Sequence, residues 1–281
     1  EDILTPENQL FFGLSETWLQ SHKDAKLNIQ GYTIFRCETT RKKNSNRGRL
    51  TGGVALYVRD DIACFSEIIA SYSTDAIQSL CLYSKTKNLV IAVLYRQPDD
   101  SHHGHPSTPA DLKKALNQLR NALLKLSPTP DIVFGGDFNL PHAVWPGGSP
   151  QPGTHPHERE MINALNDISN NLFFSQLVEG PTHKDDNTLD LVLVNNTELI
   201  HHWHKTPVLQ STSHHNIIQV ATTYKASNKF ADIPAPPLSS FNTLNFFSND
   251  VDWEQLEHKL GEIDWEAYTE DLSPDNLLNI L

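Results

Sequence analysis

The sequence predicts an α/β (α+β) fold in which two β-sheets pack face to face with helices outside. Short apolar, β-branched or aromatic runs recur along the chain, each bounded by polar or turn residues. Such runs read as strands, several of them buried on both faces. Helical periodicity is confined to a few stretches, and many strands with few interleaved helices favour packed sheets. The 281 residues are 38% hydrophobic and 20% charged, enough to build a sizeable core.

The predicted strands are Leu10 to Leu14, Val54 to Val58, Ile77 to Tyr83, Leu89 to Tyr95, Ile132 to Phe134, Leu189 to Val194 and Ile217 to Ala221. The best helix starts at Thr108-Pro109-Ala110-Asp111. Thr108 suits the N-cap, Pro109 the first turn and Asp111 the positive end of the helix dipole. Leu112, Leu116, Leu119 and Leu123 then form one apolar stripe. A second helix is predicted over about His157 to Asn170, with Met161, Ile162, Leu165 and Ile168 inward. After Tyr224 the texture changes, and Ala231 to Pro237 reads as an extended linker. The expected organisation is a domain over 1–226, a Pro-rich linker over 227–240 and an acidic segment over 241–281. In the last, Trp253, Leu256, Leu260 and Ile263 stand at helical spacing, as in a docking segment or a solvated helical tail.

The formal net charge of −12 superficially argues against a nucleic-acid partner. The charge is unevenly spread, however. From Ala231 to Leu281 there are 11 acids and one base, whereas residues 1–230 hold 23 acids and 21 bases. Five bases, Arg41, Lys42, Lys43, Arg47 and Arg49, crowd into one segment of that nearly neutral body, and local patches set the field a ligand feels. No stretch approaches the ~18 apolar residues of a membrane span, so no membrane partner is expected. No basic-then-apolar leader is visible. The first residue is Glu1, so the chain reads as a fragment, a processed product or an incomplete gene product. Cys37, Cys64 and Cys81 form no CxxC pair and read as buried small hydrophobes. The histidine clusters at 102–105, 155–157 and 201–204 lack cysteine partners and read as surface loops rather than zinc sites. No glycine-rich phosphate loop or dinucleotide fingerprint is present.

Three polar clusters sit at the ends of apolar runs, where sheets deliver side chains to a shared site: Ser15-Glu16-Thr17-Trp18, Gly135-Gly136-Asp137-Phe138-Asn139 and Ser213-His214-His215-Asn216. Asp190 is a fourth candidate, because a carboxylate in so apolar a run is costly unless paired or metal-bound. Taken singly, each has a plain structural reading. Glu16 could cap a helix, Gly-Gly-Asp-Phe-Asn could be a turn, His215 could be an ordinary surface or core histidine, and Asp190 could bind backbone amides.

Their order and context resemble the endonuclease/exonuclease/phosphatase superfamily, the deoxyribonuclease I-like fold. The nearer resemblance is to the apurinic-type endonuclease domain of Jockey-like non-LTR retrotransposons. It is carried by Leu14-Ser15-Glu16-Thr17-Trp18-Leu19, Gly52 to Val58, Leu94-Tyr95-Arg96-Gln97-Pro98, Gly136-Asp137-Phe138-Asn139-Leu140-Pro141, Gly180-Pro181-Thr182 with Thr188 to Leu193, and His214 to Ile218. Leu244-Asn245-Phe246 and Val251-Asp252-Trp253 look like the connector that precedes reverse transcriptase in such polyproteins. The resemblance implies a four-layer sandwich, two packed sheets flanked by helices. It also implies a Mg²⁺-dependent endonuclease, with Mn²⁺ as a possible substitute, that nicks double-stranded DNA to prime reverse transcription. The implied partner is the reverse transcriptase domain of the full polyprotein, and the implied location is the nucleus.

The same resemblance implies roles that phosphodiester hydrolysis calls for. Glu16 looks like the metal ligand. Asp137 would orient or deprotonate the water, and Asn139 would position it. His215 would bind the scissile phosphate, Tyr95 would hydrogen-bond phosphate or assist the leaving group, and Asp190 would support His215 or protonate the leaving oxygen. Apart from the resemblance, the loop with Arg41, Arg47 and Arg49 could contact the DNA backbone or be a solvated basic loop, and Arg96 beside Tyr95 could also reach phosphate. Two departures from the family pattern stand out. No strand with an Asn-x-x-Gly-Leu-like motif precedes Leu10, which predicts a sheet short of its first strand. The family's last motif is usually Ser-Asp-His, and here His214 replaces the Asp. A carboxylate partner fixes a histidine tautomer, so the replacement predicts weakened activity or a second carboxylate in its place. The alternatives are a catalytically impaired DNA-binding remnant, or a repair endonuclease or phosphatase of the same fold.

Overall fold

The computed structural model describes residues 9–17, 29–38, 52–98, 107–207 and 214–224. Arg41, Arg47 and Arg49, the predicted linker and the acidic segment lie outside the described residues. The chain divides into two units, Glu1–Ser227 and Asn228–Leu281, and everything below concerns the first.

Thirteen strands and three α-helices are described. The strands are β1 (Phe11–Ser15), β2 (Tyr32–Cys37), β3 (Val54–Arg59), β4 (Ser66–Ser73), β5 (Ile77–Ser84), β6 (Leu89–Arg96), β7 (Asp131–Asp137), β8 (Ala143–Val144), β9 (Ser149–Pro150), β10 (Ser175–Gln176), β11 (Asp190–Val194), β12 (Ile200–Pro207) and β13 (Asn216–Thr222). The helices are α1 (Asp60–Ala63), α2 (Pro109–Leu123) and α3 (Pro156–Asn171). One sheet has six strands in the order β10-β11-β7-β6-β5-β4, and a second has the order β1-β3-β2. β12-β13 and β8-β9 are two-stranded. β6 and β7 run parallel and the other pairs of the large sheet antiparallel. Helix α2 supplies the crossover that a parallel pair needs.

Period-two alternation sorts the large sheet into two faces. Val90, Ala92 and Leu94 of β6 join Ile132 and Phe134 of β7 against Leu112, Leu116 and Leu119 of α2 and Met161 and Leu165 of α3. Ile91, Val93 and Tyr95 point the other way, with Val133, Val192 and Val194, against Val54, Leu56 and Val58 of β3. All eight residues of β6 are buried, which is why that strand reads as a continuous apolar run. The sandwich of two packed sheets with helices outside is the fold the sequence predicts. Thr108 caps α2 as expected: its Oγ1 accepts from Asp111 N at 3.2 Å, and Asp111 Oδ2 accepts from Thr108 N at 3.2 Å. Helix α3 begins one residue earlier than predicted, with the His155 ring accepting from His157 N.

β2, β4, β8, β9, β10 and β12 are missing from the sequence prediction. β2, β4 and β10 are edge strands, and β4 buries none of its residues fully. β12 carries the exposed His201, His202 and His204, so its signal is polar. Those histidines therefore stand on a strand and not in a loop, and His155 and His157 stand at a helix start. Cys37 and Cys81 are buried as expected, but Cys64 is exposed. It lies just past α1, where the chain turns at the surface. Among the described residues no strand pairs with the second edge of β1. No helix among them is long and apolar enough to cross a membrane.

Candidate active site

One row across the large sheet gathers the site. Gln78 of β5 is in register with Tyr95 of β6, Tyr95 with Asp137 of β7, and Asp137 with Asp190 of β11. Residues in register across a sheet project to the same face. Tyr95 fixes which face, since it packs with the core between the two sheets. Glu16 enters at the end of β1, and Tyr95 Oη donates to its Oε1. His215 arrives beside β13 through an isolated bridge to His183.

The backbone after β7 is shaped to present Asp137. Gly136 has φ 148° and lies against Leu94 of β6, while Asn139 adopts φ 47°. Asn139 N donates to Asp137 Oδ1 at 3.0 Å and Asn139 Nδ2 donates to Asp137 Oδ2 at 2.9 Å. The same amide donates to Arg96 O at 2.6 Å. Glu16 also has a left-handed backbone, φ 52°. Such conformations cost about 1–3 kcal/mol each for non-glycine residues and concentrate at functional sites.

His215 Nδ1 lies 2.8 Å from Asp190 Oδ2, and His215 Nε2 lies 3.9 Å from Asp137 Oδ2. The carboxylate partner of the imidazole is therefore Asp190. Thr182 aligns the two segments. It is fully buried, its Oγ1 accepts from both Leu189 N and Asp190 N at 3.0 Å, and its carbonyl accepts from Asn216 N at 2.8 Å.

Burial, then the charge of Asp190, raises the Asp137 carboxyl above the usual carboxylate range. The hydrogen bond to Asp190 raises His215 to about 8. The Tyr95 hydroxyl is raised too, by burial and by Glu16. Oxygen and nitrogen donors of Asp137, Asp190 and His215 lie within 4.8 Å of one another. Two facing carboxylates, one of them buried, fit a divalent cation, whose charge would let both ionise. Glu16 stands outside that trio, tied to Tyr95.

In metal-free protein, Asp190→Asn should move His215 from about 8 down toward 6.5. An NMR titration of the His215 ring reads this, and an unshifted midpoint would refute the pairing. Because the folded value is raised, the pair's contribution to stability is complete below pH ~6.5 and is lost as the pH rises through about 8.

The structure brings Glu16, Tyr95, Asp137, Asn139, Asp190 and His215 together. It does not bring Arg96 to phosphate. Arg96 is fully buried, and its Nη1 donates to Asn139 O at 2.6 Å and its Nε to Met161 Sδ at 3.1 Å. Tyr95 and Arg96 are neighbours on one strand, so their side chains take opposite faces. Arg96 supports the Asp137 loop from behind. The sequence reading misses Gln78 and the supporting roles of Arg96 and of Thr182, which it quotes only as part of Gly180-Pro181-Thr182. Gln78, buried in the row, accepts from Gly53 N at 2.9 Å, and the Gly53 carbonyl accepts from Thr17 N at 3.2 Å, tethering the end of β1. A polar residue inside the apolar run Ile77 to Tyr83 was the signal available for Gln78.

A family model described as endonuclease-reverse transcriptase matches residues 89–219. No curated protein matches the chain. Among solved structures, it is similar to the endonuclease domain of TRAS1, a telomere-specific non-LTR retrotransposon (18% identity over 70% of this chain and 81% of that one, TM-score 0.42). It is also similar to the AP endonuclease LMAP from Leishmania major (14% identity, 75% and 77% covered, TM-score 0.49). A third is the human nocturnin catalytic domain (14% identity, 75% and 81% covered, TM-score 0.44). The residues matched by the endonuclease-reverse transcriptase model span β6 to β13 and hold Tyr95, Asp137, Asn139, Asp190 and His215, and over that stretch the chain is similar to this family.

Proposed function

We propose that this chain is a metal-dependent endonuclease that hydrolyses phosphodiester bonds of double-stranded DNA. The observation that carries the reading is the buried carboxylate of Asp137, held by Asn139 on one side and facing Asp190 and His215 on the other. A divalent cation, Mg²⁺ by preference for hard oxygen ligands and Mn²⁺ as its substitute, would offset phosphate charge and acidify water. Asp137 and Asp190 would hold it, with Glu16 as a further carboxylate. Asp137 takes the proton of the attacking water, and Asn139 keeps that carboxylate oriented. His215, cationic below about pH 8 and steadied by Asp190, draws in the scissile phosphate. Tyr95 orients Glu16.

The family model's description and the Jockey-like motifs support a place beside a reverse transcriptase in a longer polyprotein. There the nick would prime reverse transcription in the nucleus, and the segment over 241–281 would be the connector, joined by the linker over 227–240. The occupied partner position on His215 supports an active enzyme over an impaired remnant, since Asp190 supplies the carboxylate that His214 cannot.

Nicking of supercoiled plasmid tests this. The 281-residue chain should nick with Mg²⁺ and not with EDTA, and Asp137→Ala should slow it by about 10³-fold or more. Undiminished cleavage by the variant, or none by the folded chain, overturns the proposal. Release of inorganic phosphate, or a strict need for an abasic site, would instead assign the phosphatase or repair reading.

A further inference from the structure

A row of histidine and lysine side chains adjoins the site. The His183 ring lies 4.8 Å from that of His215 and 5.8 Å from that of His214, edge-on to both. Beyond it, Lys184 Nζ and His214 Nε2 are 3.2 Å apart, and both side chains are exposed. The row thus runs from His215 through His183 to the Lys184–His214 pair.

The platform beneath it is rigid. Lys184 stands in a tight turn in which Asp186 N donates to His183 O at 3.2 Å and His183 N donates to Asn187 O at 3.1 Å. That turn is bonded to the segment carrying His214 by Lys184 N to His214 O at 3.0 Å and by Asn216 N to Thr182 O at 2.8 Å. Asp185 Oδ2 lies 3.4 Å from His183 Nδ1, and Asp185 is largely exposed. Groups held in place before binding lose less freedom when a ligand arrives.

We propose that Lys184 and His214, backed by His183, form a subsite for the phosphate that flanks the scissile one on the cleaved strand. The inference rests on the nuclease reading of the adjoining site. Glu16 and Asp190 place carboxylates where a polyanion must enter, and the Lys184 ammonium offsets them. The His214 and His215 rings lie 5.8 and 4.8 Å from the His183 ring, so a strand whose phosphate sits at His215 passes the Lys184–His214 pair at its neighbouring phosphate. Lys184 Nζ donates one hydrogen to His214 Nε2, which fixes the ammonium in place and leaves it two hydrogens for phosphate oxygens. The histidine at 214 thereby contributes to the site, where a carboxylate would repel the backbone. Contacts of this kind fix register and carry no base information.

The test measures binding of a fluorescent DNA duplex to the full chain in EDTA across a salt series, beside plasmid nicking in Mg²⁺. Lys184→Gln should raise Kd about five- to tenfold. It should also reduce the slope of log K against log [salt] by about one. His214→Asp should weaken binding further, and Lys184→Arg should restore it. In nicking, the loss should fall on KM more than on kcat. Both residues are exposed, and circular dichroism checks that the variants fold. Unchanged Kd and slope in both Lys184→Gln and His214→Asp would overturn the subsite while leaving nicking, and the nuclease reading, intact. A chain that binds DNA with this dependence on Lys184 and His214 but never nicks would retain the subsite and overturn the nuclease reading. A chain that binds no duplex overturns the subsite.

Discussion

Gly136→Ala should cost about 4 kcal/mol or more of folding stability, enough to leave little folded protein. A Cβ at this position would lie 1.9 Å from Leu94 O and 2.8 Å from Leu94 C and N. Those atoms belong to the backbone of β6, the strand parallel to β7, and cannot swing aside as a side-chain tip could. The φ of 148° adds strain for any residue with a Cβ. Relief would need β6 and β7 to separate at the row that holds Tyr95 and Asp137. Gly135→Ala is the control: its Cβ would meet nothing nearer than 3.5 Å, at Leu191 O, with no positive φ. Urea denaturation of the two variants, or soluble yield where Gly136→Ala does not fold, reads the difference. Equal stability of the two would show that the strands give way more easily than their pairing implies.

Arg96→Met should slow nicking about 10²-fold in a protein that still folds, because displacing a reacting group by about 1 Å costs that much. Methionine keeps most of the stem volume beside Met161 and removes the donor to the Asn139 carbonyl. That carbonyl belongs to the residue whose backbone and side-chain amides both hold Asp137. Leaving it without its donor should also cost about 1–3 kcal/mol, read by urea denaturation. The slowing should appear in kcat, and Asn139→Ala should add little once Arg96 is changed, since the two act on one loop. A variant with normal kcat and weakened DNA affinity would instead place Arg96 at phosphate. The burial of its whole side chain opposes that outcome.

Arg96 also shows where a linear reading stops. Asp137, Asp190 and His215 stood out because each is a polar residue in or beside an apolar run, and it was their order, which resembles a known family, that suggested roles where each taken singly had a plain structural reading. The strands of the sheet interior were legible as apolar runs: β6 has no solvent face to blur its pattern. β2, β4 and β10 lie at sheet edges and β12 carries exposed histidines, so their composition does not separate them from loops. Arg96 follows a site residue directly, and adjacency suggested a shared surface. Strand alternation sends it to the opposite face, toward α3.

The amino-acid sequence alone determined which residue types were available, in what order, and at which strand ends they emerge. Only the tertiary structure decided which of them meet. The registers of β5, β6, β7 and β11 place Gln78, Tyr95, Asp137 and Asp190 in one row. Thr182 joins the Asp190 strand to the His215 segment, and the 183–187 turn sets Lys184 beside His214. These are contacts between segments far apart in the chain, made by pairing and packing across sheets, and local propensity carries no record of them.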